Sequence, residues 1–321
     1  MKLGILQTYN HRLLSVAAML DVFDAVNRFY KGDGSEAFFE IEFVHVGQLT
    51  ATAVYEGYTI KSTDENVSYD LILIPAFKSD LLLLAVASNR AFIPWMQKQY
   101  NSGAAIASFC TGAFLLAASG LLNNRPATTH INAGHAFANA FPDVIVTSES
   151  IVTEKDRIYT SGGALNSFHL MFRLLEVYCS REIAVRAAKV FSIDMERKQQ
   201  KYFGTFSPAE NHGDDLVKQV QQGIKMKYRD ANTIEELITN IPSSRRNLVR
   251  RFKQATGFTP IEYLQKTRME AAKQLLEHSR QSVTEVMLES GYNDFKSFRL
   301  IFKKNVGMTP TAYRKKFNLT R

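Results

Sequence analysis

Basic and polar side chains that could contact a nucleic acid recur in two stretches of the chain. They are Arg245, Arg246, Asn247 and Arg250 in the first stretch, and Lys296, Ser297, Arg299, Lys303 and Lys304 in the second. Lysine and arginine neutralise phosphates, and arginine or asparagine can form paired hydrogen bonds with guanine or adenine edges. These residue types predict contacts with double-stranded DNA. For either stretch alone, a solvated basic surface is the alternative interpretation.

The sequence around these side chains is duplicated at an offset of 50 residues: FKQATGFTPIEYLQK begins at Phe252 and FKKNVGMTPTAYRKK begins at Phe302. The identical pairs are Phe252/Phe302, Lys253/Lys303, Gly257/Gly307, Thr259/Thr309, Pro260/Pro310 and Tyr263/Tyr313. Two copies are too few for a solenoid, which needs about three repeats to bury a continuous core. The duplication predicts one module used at two places, and it argues against an incidental basic surface.

Each copy has the sequence pattern of a helix-turn-helix unit. Leu248 and Phe252 in the first copy, and Phe298 and Phe302 in the second, are four residues apart, so each pair can share a buried helix face. The basic side chains then lie on the opposite face of the same helix. The predicted landmarks are a capping Thr233, a turn at 240–242 and a helix from about Ser244, then Ser282 or Val283, Gly291 and Asp294 in the second copy.

The positive charge of the chain is concentrated around these units. Residues 214–321 hold 21 lysines and arginines against 11 aspartates and glutamates, a net charge of +10, whereas residues 1–213 carry a net charge of −2. This asymmetry predicts a nucleic-acid-binding module attached to a domain of ordinary charge.

Residues 214–321 resemble the AraC-type DNA-binding domain. The second copy carries the pattern at Gly291-Tyr292, Asp294, Ser297-Phe298, Phe302-Lys303-Lys304, Gly307, Thr309-Pro310 and Tyr313-Arg314-Lys315. The resemblance implies an all-α domain of seven helices, in which a long helix, about Pro260–His278, joins two helix-turn-helix units. Their second helices are then expected to enter successive major-groove segments about 34 Å apart. We expect four of the nine residues to contact base edges: Arg246, Arg250, Lys296 and Arg299.

Upstream of these units, short apolar runs alternate with segments of helical periodicity. Buried strands are predicted at Leu3–Gln7, Asp70–Pro75 and Ala104–Phe109, and helices at Ser15–Phe29 and Arg181–Tyr202, among others. The alternation predicts an α/β domain over residues 1–203 with a mostly parallel sheet. The segment GTFSPAENHG predicts a linker over residues 204–213, before a DNA-binding domain over residues 214–321.

Cys110 is the residue of the upstream domain whose position points most clearly to a site. It lies between a predicted strand and a predicted helix in SFCTGAFLLAASGLL, where Thr111 and Gly112 fit a tight turn. We expect this position to expose the thiol, and the helix dipole to stabilise a thiolate or to bind an anion there. A purely structural cysteine is the alternative.

The upstream domain resembles the DJ-1/PfpI superfamily, also called class I glutamine amidotransferase-like, and is more similar to regulators that fuse such a domain to an AraC-type one. The matching pieces are Asp21-Val22-Phe23, Leu71–Pro75, Cys110–Phe114, Gly120-Leu121-Leu122, Pro126–His130 and Thr160–Gly163. The resemblance implies a flavodoxin-like parallel sheet, a homodimer and a pocket for an unidentified small-molecule effector. The candidate pocket residues are Cys110, Thr111, Gly112, His130, Gly162 and Gly163.

Catalysis by Cys110 is not expected. Proteases of the superfamily carry a histidine directly after the cysteine, where this chain has Thr111, and the loop over residues 8–14 has no carboxylate to hold the thiol. Nucleophilic catalysis needs a base beside the sulfur and a group that orients the base. The alternatives are a DJ-1/PfpI-type cysteine hydrolase with a DNA-binding tail, and a regulator whose first domain is only a dimerisation scaffold.

Cysteine usage and hydropathy favour a cytoplasmic protein. Cys110 and Cys179 are the only cysteines, which is too few for a disulfide framework. We expect neither a signal peptide nor a membrane span, because the first residues lack an apolar core and no uncharged apolar run reaches about 18 residues. The histidine and cysteine spacings match no metal motif, so we predict no metal and no cofactor. Together with the two resemblances, the sequence predicts a cytoplasmic, sequence-specific transcriptional regulator, and the homodimer is implied by the resemblance alone.

Overall fold

The computed structural model describes residues 1–47, 54–78, 82–163, 165–195, 200, 203–206, 212–231, 233–238 and 241–320. The chain divides into two compact units, Met1–Gln200 and Lys201–Arg321. Residues 207–211 of the predicted linker lie outside the described residues. The linker and the predicted domain limits therefore stay predictions.

The first unit is built on an eight-stranded sheet, counted over the described part of the chain. Its strands, in the order in which they lie side by side, are β3 (Val54–Tyr55), β4 (Tyr58–Ser62), β2 (Glu40–His45), β1 (Lys2–Leu6), β5 (Leu71–Ile74), β6 (Ala105–Ser108), β10 (Ile158–Ser161) and β9 (Val152–Lys155). The pairs from β4 to β10 are parallel, and the two edge pairs are antiparallel. β7 (Pro126–Ala127) and β8 (Ile145–Val146) form a separate parallel pair.

Helices cover both faces of this sheet. They are α1 (Leu13–Gly32), α2 (Leu82–Asn89), α3 (Phe92–Asn101), α4 (Ala113–Ala118), α5 (Gly134–Ala140), α6 (Asn166–Tyr178) and α7 (Arg181–Val190). One core joins α1, α6 and α7 to one face, and a second core joins α2, α3, α4 and α5 to the other. Leu71 and Leu73 belong to the first core, and Ile72 and Ile74 to the second. β5 is continuously apolar because it is buried on both faces.

All the strands and helices assigned among the described residues of the second unit are helices. Its seven helices are α8 (Asp215–Lys227), α9 (Ile234–Ile238), α10 (Arg245–Thr256), α11 (Pro260–His278), α12 (Val283–Glu289), α13 (Phe295–Val306) and α14 (Pro310–Phe317). Two separate cores lie along α11. Tyr263 and Leu264 belong to the core around α10, whereas Met269, Ala272 and Leu276 belong to the core around α13.

The predicted fold class is confirmed for both units. The long helix α11 has the predicted bounds, and Thr259 and Thr309 cap α11 and α14 with proline in the next position. The helix predicted over Arg181–Tyr202 was too long, because α7 ends at Val190 and Ser192 has a positive φ of 53°. The antiparallel edge strand β9 was not predicted.

Candidate functional site

α10 is fixed so that its basic side faces outward. The Ser244 hydroxyl accepts a hydrogen bond from the Asn247 main-chain N–H, and Gly257 ends the helix in the left-handed region with φ 78°. Leu248 and Phe252 are fully buried. Three arginines on the other side are exposed, namely Arg245, Arg246 and Arg250, and Asn247 is half-buried.

α13 repeats this arrangement. The Asp294 carboxylate accepts a hydrogen bond of 2.7 Å from the Ser297 main-chain N–H, and Gly307 ends the helix with φ 86°. Phe298 and Phe302 are fully buried. The predicted contact residues of this helix are all exposed: Lys296, Ser297, Arg299, Lys303 and Lys304.

Several of the predicted contact residues on α10 already have partners within the second unit. Arg245 forms an ion pair with Glu235 on α9, with 3.1 Å between Nη1 and Oε1. Arg250 donates a hydrogen bond to the Asn247 side-chain oxygen, and Asn247 donates one to the Ser243 hydroxyl. Arg246 projects from the first turn and is exposed. At the position of α13 that corresponds to Arg250, Leu300 is 61% exposed.

Arg251 braces α10 rather than extending its outward face. Its guanidinium donates two hydrogen bonds, of 2.9 and 2.8 Å, to the carboxylate of Asp214. Asp214 also caps α8 by accepting a hydrogen bond from the Val217 main-chain N–H. The hydrogen bonds from Arg251 hold the pKa of Asp214 below its usual value. The sequence shows both residues, but their 37-residue separation conceals this contact.

Cys110 lies directly after β6 and Phe109, at the edge of the sheet where the parallel strands end. The strand order reverses between β1 and β5, and the crevice at such a switch point is where open α/β sheets bind ligands. Cys110 has a positive φ of 53° and is followed by a tight turn at Cys110–Gly112. A Cβ at Gly112 would lie 2.6 Å from the Pro75 carbonyl oxygen, so the turn requires glycine there.

The prediction of an exposed thiolate was wrong. Cys110 is 2% exposed, and burial raises the pKa of its thiol, outweighing the smaller lowering effects of Thr111 and Arg12. Its carbonyl oxygen accepts a hydrogen bond from the Thr129 hydroxyl. The turn geometry expected from the sequence is present, but the side chain is buried.

The other candidate pocket residues are packed against protein groups. The Thr111 hydroxyl is hydrogen-bonded to both the N–H and the carbonyl of Phe77. Burial lowers the pKa of His130, and the positive charge of Arg12 lowers it further. Asn132 donates its main-chain N–H to His130 Nδ1, which places that nitrogen as an acceptor.

Gln200 fills the space beside Gly162 and Gly163, and sequence reasoning missed it. It is 1% exposed, and its side-chain oxygen accepts hydrogen bonds from the Gly163 N–H and the Asn166 amide. A Cβ at Gly162 would lie 2.3 Å from that oxygen. These two glycines therefore accommodate Gln200 and His130, and the small-molecule pocket stays a prediction.

Two negative findings apply to the described residues. Among them, no group of three or more histidine, cysteine, aspartate or glutamate side chains could hold a metal ion. No helix in the described ranges is long and apolar enough to cross a membrane.

Known proteins match both units. Residues 43–177 match the DJ-1/PfpI family, and residues 240–316 match a helix-turn-helix domain. The HTH-type transcriptional regulator CdhR of Pseudomonas aeruginosa is 29% identical over 266 residues, which cover 80% of this chain and 79% of CdhR. The regulator GbdR of the same species is 24% identical over 234 residues, which cover 70% of this chain and 62% of GbdR. A crystal structure of an AraC family transcriptional regulator from Pseudomonas putida covers 59% of this chain and 98% of its own, with 14% identity and a TM-score of 0.48.

The buried thiol predicts slow alkylation. Because the pKa of Cys110 is raised, its thiolate fraction at pH 8 is below that of an unperturbed cysteine, and the thiolate is the nucleophile. Iodoacetamide should modify Cys110 more slowly in the folded chain than in the same chain in urea, as measured by peptide mass spectrometry. Cys110→Ser identifies the signal of Cys179. Rapid modification of the folded chain at pH 6 would contradict a buried, protonated thiol.

Proposed function

We propose that the chain is a transcriptional regulator in which a DJ-1/PfpI domain precedes an AraC-type helix-turn-helix domain, and that α10 and α13 read two successive major-groove segments of one operator. The observation that carries the proposal is the repeated helix frame, which buries the same aromatic position and exposes a basic side in both helices. An α-helix fits the major groove, where each base pair presents a distinct pattern of donors and acceptors.

The exposed side chains divide by the contacts that suit them. Arg246 and Arg250 on α10, and Lys296 and Arg299 on α13, contact base edges. The others serve phosphates or mixed contacts: Arg245, Asn247, Ser297, Lys303 and Lys304. The ion pair with Glu235 supports a phosphate contact for Arg245, because one edge of its guanidinium already binds a carboxylate. The contact of Leu300 with DNA would be apolar, so α10 contributes more hydrogen-bonded discrimination than α13.

The first unit forms the homodimer, senses a small molecule and does not catalyse. The dimer rests on the resemblance to the fused regulators, and native mass spectrometry of the full chain distinguishes it from a monomer. The lack of catalysis is supported by the raised pKa of the Cys110 thiol, since an activated nucleophile needs the opposite shift. The protein acts in the cytoplasm, where its DNA target is.

Arg12 supports a sensing role at the switch-point edge of the sheet. Its guanidinium donates to the Phe77 carbonyl, which also accepts from the Thr111 hydroxyl, so a positive charge lies close to the Cys110 turn. The Thr8 hydroxyl, which follows β1, is buried without a hydrogen-bond partner among the described residues. A cation and a buried unsatisfied hydroxyl, both on the segment after β1, suit an effector with an anionic group.

The sensing proposal predicts separable effects of Arg12→Ala. The probe is DNA that the wild-type protein enriches from a random library. The purified variant should bind this DNA with unchanged affinity, because Arg12 lies outside the second unit. In cells, the expression level from a reporter promoter that carries this DNA should differ between the variant and the wild-type protein. Arg90→Ala, at an exposed position in the same unit, is the control. An unchanged reporter response with Arg12→Ala would contradict sensing at this edge.

Base reading predicts a local loss of specificity in Arg246→Ala. The probe is a set of duplexes that wild-type protein enriches from a random library, with single base-pair changes introduced in turn. The variant should lose about 1–3 kcal/mol of binding free energy and should tolerate any base at one position. Fluorescence anisotropy measures each affinity.

Lys303→Ala is the matched control for a phosphate contact. It should weaken binding about equally on all duplexes and reduce the slope of log K against log salt by about 1. If Arg246→Ala instead produced this uniform loss, Arg246 would be a phosphate contact and its assignment to a base edge would be wrong.

A further inference from the structure

A buried arginine lies where the two halves of the second unit meet. Arg268, near the middle of α11, is 5% exposed. Leu264, one turn before it, belongs to the core around α10, and Met269 belongs to the core around α13. Arg268 therefore occupies the boundary between two hydrophobic cores that do not merge.

The guanidinium of Arg268 binds the end of α8. It donates hydrogen bonds to the carbonyl oxygens of Tyr228, Arg229 and Ala231, at 2.6, 3.4 and 2.9 Å. Tyr228 is the C-cap of α8, and Arg229 and Ala231 follow it. The cation therefore lies near the negative end of the helix dipole, which stabilises it. Burial lowers the pKa of Arg268, but an arginine stays charged in a protein.

The second helix-turn-helix unit contacts the same junction through its turn. The Tyr292 ring lies 5.4 Å from the guanidinium carbon of Arg268. A Cβ at Gly291 would lie 2.8 Å from the carbonyl oxygens of Tyr228 and Arg229 and from Arg268 Nε. Gly291 also has φ 85°, so this close approach needs glycine for two reasons. The turn is thus seated directly on the end of α8.

An ion pair supports this junction from the surface. Arg229, which follows α8, lies 3.7 Å from the carboxylate of Glu289 at the end of α12. Both side chains are at least one-third exposed, so the pair contributes little free energy by itself. The ion pair is informative because of the segments that it joins. Like the contacts of Arg268, it connects the first half of the unit to the turn of the second half.

We propose that Arg268 is a positioning residue that sets the relative placement of α10 and α13, and through it the spacing of the two DNA half-sites. The proposal rests on the proposed two-segment reading of DNA. Each half has its own core, so each recognition helix can stay folded when the junction changes. What the junction controls is the geometry between the halves, which determines whether both can engage one duplex together.

The alternative is that Arg268 only caps α8 and stabilises the first half. The two roles predict different DNA binding. A cap that merely supports the fold affects every duplex that needs α10, including an isolated half-site. A positioning residue affects only duplexes on which both halves bind.

The test uses full-length protein and four duplexes derived from the wild-type selected site. They are the complete site, each half-site with the other half scrambled, and the complete site with one base pair inserted between the halves. The insertion moves one half by about 3.4 Å along the axis and rotates it by about 35°. The variants are Arg268→Lys, which keeps the charge but not the planar donor fork, and Gly291→Ala, which displaces the turn from α8. Circular dichroism confirms that each variant folds.

The expected result is a selective loss of the benefit of binding both halves. In the wild type, linkage should make the complete site about 10²–10⁴-fold tighter than either half-site. In Arg268→Lys and Gly291→Ala, affinity for the half-sites should stay within about twofold of wild type. The ratio of the affinity for the complete site to that for a half-site should fall about tenfold or more. The inserted base pair should reduce the affinity of these variants less than that of the wild type. Arg246→Ala is the control, which should weaken the half-site that α10 binds and keep the wild-type spacing preference.

Two results would overturn the proposal. One is wild-type gain and spacing preference in a folded Arg268→Lys or Gly291→Ala variant. The other is an equal loss of affinity for the half-sites and the complete site, which would mean that Arg268 only caps α8 and stabilises the fold. If one variant fails to fold, the other decides. If wild-type protein itself binds the complete site no more tightly than a half-site, the two-segment reading fails first, and the role of Arg268 falls with it.

Discussion

An edge-to-face contact between a phenylalanine and a tyrosine, made twice, holds α10 and α13 in place. Phe252 on α10 meets Tyr263 on α11 with ring centroids 5.3 Å apart, and Phe302 on α13 meets Tyr313 on α14 at 5.7 Å. All four side chains are nearly or fully buried. Because the phenylalanine fixes one side of its helix against the next helix, the basic side must face outward. The rest of the second unit builds on this contact, since the Thr-Pro caps place each tyrosine at the start of the helix that receives the phenylalanine.

The sequence predicted what depends on local pattern. The caps at Thr259 and Thr309 and the outward basic faces of α10 and α13 are confirmed by the structure, because each follows from spacing within one or two turns of helix. It did not predict the contacts that cross many residues. The brace between Arg251 and Asp214, the junction around Arg268 and the burial of Gln200 each join segments whose proximity no local pattern shows. The helix expected over Arg181–Tyr202 failed because periodicity does not show where Ser192 turns the backbone.

In the first unit, the turn at Cys110 was predicted correctly, but the exposure and ionisation of its thiol were not. The position of Cys110 after a parallel strand was predictable, and so was the glycine that lets the turn approach the Pro75 carbonyl. The burial of Cys110 was not predictable from the local pattern, because its turn is hydrogen-bonded to Phe77 and Thr129, which are distant in the chain. The loss of hydration on burial outweighs the hydrogen bonds of the turn, which favour a thiolate. The pKa of the Cys110 thiol is therefore raised and not lowered.

The proposed function requires that α10 and α13 engage one duplex together. Hydroxyl-radical footprinting of the full chain on a selected duplex measures this directly, because it reports which sugars each helix shields. We predict two protected segments per bound chain, on one face of the duplex, with centres about 10–10.5 base pairs apart. A single protected segment per chain, at protein concentrations that saturate the site, would contradict the account.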